Sequence, residues 1–325
     1  MRYLFICGLP GSGKGTLRVL LDGSDKNIIN CPFQGFGYEI LSEKFDNFLD
    51  RKKTIDLIDR EKNMSSGFIY VKNRILTAGE FFYLISYSLR ILLDSSNGGK
   101  IRAASTQSKE QFVKFIFNYE MFFRKLLIIF NRKSKFKDKF QLYDFFIKTF
   151  IRQWKGIKAI QKKSIILISM QNGARVLKDI NKNVPKTRYQ IFSVSRNFED
   201  FIAVNYSRYA SKRKPKINFL FKIKYIYSIN NFKKYSDYFK FQKDFENKNL
   251  YEVNFNDLIT NTEETMKSIS KFIGIEYSKK MLLPSLNSIL LKNNFTGKVI
   301  DKHNFSNFDL LSFSIFNKVL KNLNI

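Results

Sequence analysis

Apolar and polar positions alternate with two different periods along this chain. Tyr3 to Cys7 is a short continuous apolar run, the pattern of a buried strand, and Leu17 to Leu21 then opens a helical pattern. Ile28 to Cys31 reads as a second strand, and residues 39–62 read as an amphipathic helix followed by a charged stretch. From about Leu76 to Gly156 the apolar residues recur at three and four, through Phe81, Leu84, Ile85, Leu89 and Leu92, then Phe112, Phe115, Ile116 and Tyr119, then Leu142, Phe145, Phe146 and Phe150. That spacing predicts a block of helices, with Asp94 to Gly99 as a loop between two of them.

Alternation of strand and helix resumes after Lys163. Strands are predicted at 165–170, 189–194 and 250–255, with helices at 172–181, 198–209, 218–246 and 262–273 and a helical tail at 310–323. Thr262 is the expected N-cap of the 262–273 helix, Glu263 and Glu264 suit its first turn, and Gly274 is its expected C-cap. Strands separated by helices imply a parallel, doubly wound sheet. The fold class expected is a three-layer α/β P-loop fold with a central parallel sheet. One domain spans 1–325, with a large helical insertion at about 76–156.

The turn between the first strand and first helix is Gly8-Leu-Pro-Gly-Ser-Gly-Lys-Gly-Thr16. Glycines let backbone N–H groups approach an anion, a helix N-terminus adds partial positive charge, and Lys14 adds a full one. Gly11, Ser12, Gly13, Lys14, Gly15 and Thr16 therefore form a candidate cradle for a phosphate or sulfate ester. Pro32 to Tyr38, rich in glycine and aromatics, follows the second strand, where loops of an open parallel sheet face the ligand crevice.

Composition narrows the class. An aromatic fraction of 16% and a hydrophobic fraction of 44% belong to a globular chain. There are 57 Lys and Arg against 28 Asp and Glu, a net charge of +29. That charge suits an anionic partner, and compositional drift toward Lys, Asn, Ile and Phe explains it equally well. It is scattered rather than gathered into a groove, so no specific nucleic-acid partner is expected. Cys7 and Cys31 lie in apolar surroundings and read as buried free thiols. The opening apolar run is too short for a signal peptide, and no long uncharged apolar stretch would span a membrane, so a cytoplasmic location is expected.

Taken alone, the glycine loop resembles that of adenylate-kinase-type enzymes, which end Gly-Lys-Gly-Thr. Against a kinase, position 15 lacks the metal-binding hydroxyl (a trait those loops share), no strand at 165–170 or 189–194 ends in Asp, and no arginine-rich lid follows the first helix. The distal segments resemble a different family, the P-loop sulfotransferases that use 3′-phosphoadenosine-5′-phosphosulfate (PAPS). Gln190 to Tyr206 is similar to that family's strand–arginine–helix element, with Arg196, Asn197 and Asp200 at the matching positions. Val253 to Leu258 and the helix closing Phe-Ile-Gly-Ile275 resemble its Tyr-Glu-Asp-Leu strand end and the helix after it. Gly8 to Gly23 is similar to bacterial openings of the form Gly-Leu-Pro-Arg-Ser-Gly-Thr-Thr-Leu-Leu.

The resemblance implies a sulfuryl transfer from PAPS as co-substrate, without a metal, to a hydroxyl or amine of an acceptor, a carbohydrate being the class favoured. It implies that Lys14 stabilises the leaving phosphate, with Ser12, Gly13, Gly15 and Thr16 donating hydrogen bonds, and that Arg196 binds the 3′-phosphate. Several positions depart from the pattern. The family's serine on the helix after the arginine is Val204, and Asn205 and Ser207 are the candidates to replace its hydrogen bond. Gly11 stands where an arginine is common, and Lys14 where a hydroxyl is. The family's acid after the second strand is Gln34, an amide that cannot take a proton, which leaves Glu39 as the candidate catalytic base. Gly297 and Lys298 are candidates for a C-terminal cofactor loop, and His303, the one histidine, sits in a polar tail. A nucleotide or small-molecule kinase, and a sulfotransferase-like protein that binds anions without turnover, remain the competing readings.

Overall fold

The computed structural model describes residues 1–50, 67–72, 74–95, 100–102, 112–170, 173–196, 238, 240, 248–286 and 289–291. Strand β1 (Arg2–Cys7) leads through the glycine loop into α1 (Lys14–Leu21), followed by β2 (Ile28–Asn30) and the short helices α2 (Tyr38–Leu41) and α3 (Glu43–Asp50). The next block holds β3 (Phe68–Val71), β4 (Arg74–Thr77), α4 (Ala78–Leu84), α5 (Ser86–Ser95), β5 (Lys100–Arg102), β6 (Phe112–Lys114), α6 (Tyr119–Asn131), β7 (Lys135–Phe136) and α7 (Lys139–Lys155). Then come β8 (Ile165–Ser169), α8 (Gly173–Asn183), β9 (Tyr189–Ser195), β10 (Leu250–Asn254), α9 (Phe255–Thr260) and α10 (Thr262–Ile273).

Five strands form one parallel sheet in the order β10-β9-β1-β8-β2. The period of two along each strand sorts its side chains into two cores. Tyr3, Phe5 and Cys7 of β1, with Ile166 and Ile168 of β8, enter a core shared with Tyr143, Phe146 and Phe150 of α7 and Leu177 and Ile180 of α8. Leu4 and Ile6 face the opposite way, with Leu167, Phe192 and Val194, onto Leu17, Leu20 and Leu21 of α1 and Met266, Ile269 and Ile273 of α10. Helices therefore cover both faces of the sheet, the three-layer α/β arrangement that the alternating pattern predicts. Burying each such aliphatic or aromatic side chain contributes roughly 1.5–3 kcal/mol.

The strand order has a switch point. From β1 the chain runs to β2 on one side of the sheet, and from β9 it runs to β10 on the other. Connections diverging from the adjacent strands β1 and β9 leave a crevice at their carboxyl ends, where open α/β sheets bind ligands.

The block between β2 and β8 is less helical than its periodicity predicts. Phe112–Lys114 is a strand paired with Lys100–Arg102, and the helix that Phe112 seemed to continue starts at Tyr119 with Asn118 as its cap. The Asp94 to Gly99 segment thus leads from a helix into a strand. A second small sheet, β4-β3-β7, packs against α6 and α7. Short apolar runs satisfy either period, and strand pairing with a distant partner decides between them. Thr262 is also not the N-cap: Asn261 takes that place, and the Thr262 hydroxyl donates back to the carbonyls of Leu258 and Ile259. Gly274 does close α10, in the left-handed conformation with φ 62°. The helices read at 198–209 and 310–323 lie outside the described residues, as does that at 218–246 apart from Tyr238 and Lys240, which are helical.

Candidate functional site

The register of the sheet assembles the site. Cys7 of β1 pairs with Ser193 of β9, so Gly8 arrives beside Val194. A Cβ on Gly8 would stand 2.4 Å from the Val194 carbonyl and 2.5 Å from Ser12 Oγ, and its φ of +148° suits glycine alone. On the other side of β9, Ser195 pairs with Asn254, which sets the next residues, Arg196 and Phe255, side by side. Loop and arginine thus emerge at the β1/β9 switch point.

Within the loop, the Ser12 N–H donates to the Leu9 carbonyl at 3.1 Å, and Gly13, at φ 102°, starts α1 in the left-handed region. The Thr16 N–H turns back onto the Gly13 carbonyl at 2.9 Å, and the start of α1 is the end of a helix where backbone N–H donors and partial positive charge suit an anion. Ser12 Oγ is buried and has no hydrogen-bond partner. Lys14 is 6% exposed, and its ammonium donates to the carbonyl of Leu9 at 2.8 Å and to that of Gly8.

Arg196 lies on the ring of Phe255, its guanidinium carbon 3.5 Å from the ring centroid. The same ring roofs the loop, since a Cβ on Gly13 would lie 1.9 Å from Phe255 Cδ2. Gly13, Phe255 and Arg196 are therefore in one contact chain. Phe255 is a site component the chain's pattern does not announce, because only the β9–β10 register places it there.

The loop after β2 is pinned at four points. Arg18, reaching across from α1, donates to the Pro32 carbonyl at 2.9 Å. Gln34 donates from Nε2 to the Met170 carbonyl at 3.0 Å, the Gly35 N–H to that of Ser169 at 2.7 Å, and the Gly37 N–H to Ser88 Oγ at 2.8 Å. Gln34 is exposed at the sheet edge beside the end of β8, where its amide presents no base. Glu39, by contrast, is held in the helical layer. Its two carboxylate oxygens accept from the N–H and the hydroxyl of Ser88, each at 2.7 Å. Burial pushes its carboxyl above the usual range, partly offset by those hydrogen bonds.

Cys7 and Cys31 are free, buried thiols, both pushed up to about 12 by burial. The carboxyl ends of β8 and β9 carry Ser169 and Met170, and Ser195 and Arg196, rather than a carboxylate. Among the described residues no helix is long and apolar enough to cross a membrane. Asn197, Asp200, Val204, Asn205, Ser207, Gly297, Lys298 and His303 lie outside the described residues.

No family model matches the chain. Among solved structures, it is similar to the sulfotransferase domain of the Synechococcus olefin synthase, with 12% identity, 94% of this chain and 81% of that one covered, and a TM-score of 0.44. The sulfotransferase domain from the curacin biosynthetic pathway is similar at 10% identity, with 92% and 80% covered and a TM-score of 0.40. Sulfotransferase STF1 from Mycobacterium tuberculosis gives 12% identity, 86% and 69% covered, and a TM-score of 0.40. Identities this low carry no correspondence between individual residues.

Proposed function

We propose that the chain is a PAPS-dependent sulfotransferase, moving a sulfuryl group to a hydroxyl or amine of an acceptor, with carbohydrate as the acceptor class. The observation that carries this reading is the convergence of two separate anion-gripping elements, the Gly8–Thr16 loop and Arg196, at the β1/β9 switch point. A donor with phosphosulfate at one end and a 3′-phosphate at the other needs two such elements.

The residues fit that donor. Gly8 and Gly13 leave no room for a Cβ because the Val194 carbonyl and the Phe255 ring close on them, which holds the loop in its turn, and Ser12 Oγ is a buried donor without a partner. Ammonium, guanidinium and backbone N–H groups are hydrogen-bond donors matched to phosphate and sulfate oxygens. In this reading Gly11 to Thr16 cradle the 5′-phosphosulfate and Arg196 takes the 3′-phosphate through its planar fork. Asn205 and Ser207 are assigned to the same 3′-phosphate.

The S–O bond to the 5′-phosphate breaks as a bond from sulfur to the acceptor oxygen or nitrogen forms, leaving 3′,5′-ADP. Lys14 stabilises the charge that grows on the leaving phosphate oxygen, so positioning and electrostatics supply the catalysis. The acceptor's proton must go to a base. Glu39 is the assigned candidate, and it would have to give up Ser88 to act. That constraint, together with the amide at Gln34, favours one second reading: a protein of this fold that binds the donor without turnover. The free thiols and the soluble co-substrate fit a cytoplasmic setting.

Calorimetry with 3′,5′-ADP and with ADP plus Mg²⁺ tests the binding reading. Preference for 3′,5′-ADP supports it, and preference for ADP–Mg²⁺ overturns it in favour of a kinase. Transfer of label from sulfur-labelled PAPS to a cell glycan extract separates the enzyme from the silent binder.

A further inference from the structure

We propose that Phe255 is a positioning residue that holds the Arg196 guanidinium flat and edge-on to the crevice, so that the arginine reads a phosphate beside the glycine loop. The inference rests on the sulfotransferase reading and adds to it the device that sets the second phosphate site.

The geometry leaves one orientation. With the guanidinium carbon 3.5 Å from the ring centroid, an upright guanidinium would drive a nitrogen into the ring, so the group must lie nearly parallel to it. One face of the guanidinium is then covered by an apolar surface, and its N–H donors project sideways in the plane, the direction in which two parallel bonds to one phosphate form. A flexible arginine on a bare strand end would have to be ordered at the moment of binding, at a cost in rotamer freedom of about 2 kcal/mol or less.

The ring is itself fixed by two constraints independent of Arg196. Phe255 follows Asn254, whose side chain caps the α9 start by accepting from the Asn256 N–H at 2.8 Å. Its ring edge rests on Gly13, the residue that starts α1. The distance between the loop and the arginine is therefore set by the width of one phenyl ring. A ligand that carries phosphates at both places meets a preformed pair, and a ligand with only a 5′-phosphate uses only one.

The test compares 3′,5′-ADP with 5′-AMP, which lacks the 3′-phosphate, on the full chain by calorimetry. Phe255→Leu keeps the apolar contact with Gly13 and removes the flat ring face. It should weaken 3′,5′-ADP about tenfold, the size of a partly desolvated cation–π contact, and change 5′-AMP by less than about twofold. Phe255→Tyr should retain the wild-type ratio. Arg196→Ala should collapse the ratio, and Phe255→Leu added to it should change the ratio no further.

Equal losses for both ligands in Phe255→Leu would overturn the proposal, leaving Phe255 a packing residue of the loop. An unchanged ratio would overturn it too. If wild type binds neither ligand, the sulfotransferase reading falls and the positioning role falls with it. A wild type that prefers 3′,5′-ADP while Phe255→Leu keeps the ratio would sink the inference alone. Melting temperatures near wild type for each variant show that the comparison is made on folded protein.

Discussion

Lys14 turns its ammonium back onto the loop that carries it, donating to the Leu9 carbonyl at 2.8 Å. A phosphosulfate entering the cradle would exchange those carbonyls for charged oxygens, and hydrogen bonds between charged partners are the stronger ones, at about 1.5–3 kcal/mol. Lys14→Ala should therefore weaken 3′,5′-ADP by roughly 10- to 100-fold. Lys14→Arg should not restore it, because a planar fork does not fit a buried pocket shaped for a compact ammonium. Titration calorimetry on the two variants checks this, and wild-type affinity in Lys14→Ala would remove the lysine from the site.

Gly13 and Phe255 make a second pair that can be broken from either side. A Cβ at position 13 would meet the ring at 1.9 Å, on a backbone at φ 102° that side chains rarely adopt. Backbone strain of this kind costs on the order of 1–3 kcal/mol, and the clash adds to it. Gly13→Ala should lower stability by at least that much in denaturant unfolding. Adding Phe255→Ala should recover part of the loss, because it removes the ring and leaves the strain. Full recovery would mean that φ is not a constraint, and none would mean that the ring is not the obstacle.

The two thiols offer a check on the core itself. Cys7 belongs to β1 and Cys31 follows β2, both fully buried, and burial pushes both up to about 12. At a pH of about 8 neither carries appreciable thiolate, and neither is accessible. An aromatic disulfide reagent should leave both untouched in the native protein and label both in denaturant. Rapid native labelling would show that the β1 end opens to solvent.

The parts of the fold that were legible in the chain are those that local chemistry decides. The run from Tyr3 to Cys7 can only be buried, the glycine loop can only turn, and Gly274 ends its helix as a left-handed cap. Phe112 and Thr262 misled because their neighbours decide their state: a strand partner at Lys100–Arg102 in one case, the carbonyls of Leu258 and Ile259 in the other. The site divides the same way. Lys14 is announced by its loop and Arg196 by its strand end. Phe255 and Arg18 reach their places through the register of β9 with β10 and through a contact across to Pro32, which no single stretch of sequence contains.

Glu39 should make stability fall as pH rises. Burial raises its folded pKa above the unfolded value, so the folded state holds more protons through that window. Stability is then greatest below the ordinary carboxylate range and declines between that range and the raised folded value. Glu39→Gln removes the titration and keeps one acceptor for Ser88, so its penalty should be larger at about pH 4 than at about pH 7. Denaturant unfolding at the two pH values measures the difference. A penalty that grows with pH would show that the ionised carboxylate is the form Ser88 stabilises on balance.

Arg18 is a buried charge on the helix that follows the glycine loop. It is 6% exposed, burial lowers its pKa, and it makes no ion pair; its fixed partner is the Pro32 carbonyl, while its Nε has no partner. At the end of β2, Asn30 is 4% exposed with neither amide atom bonded. Burying a charge without an ion pair is costly, and an apolar side chain of similar length fills the same space without that cost. Arg18→Met should therefore leave global stability within about 1 kcal/mol of wild type or raise it. The loss should appear locally instead: with the tie to Pro32 gone, hydrogen exchange at Phe33 to Gly37 should quicken while β1 and β8 stay protected. A large global destabilisation with no local change would show that the guanidinium is structural in the core and does not serve the loop beside the site.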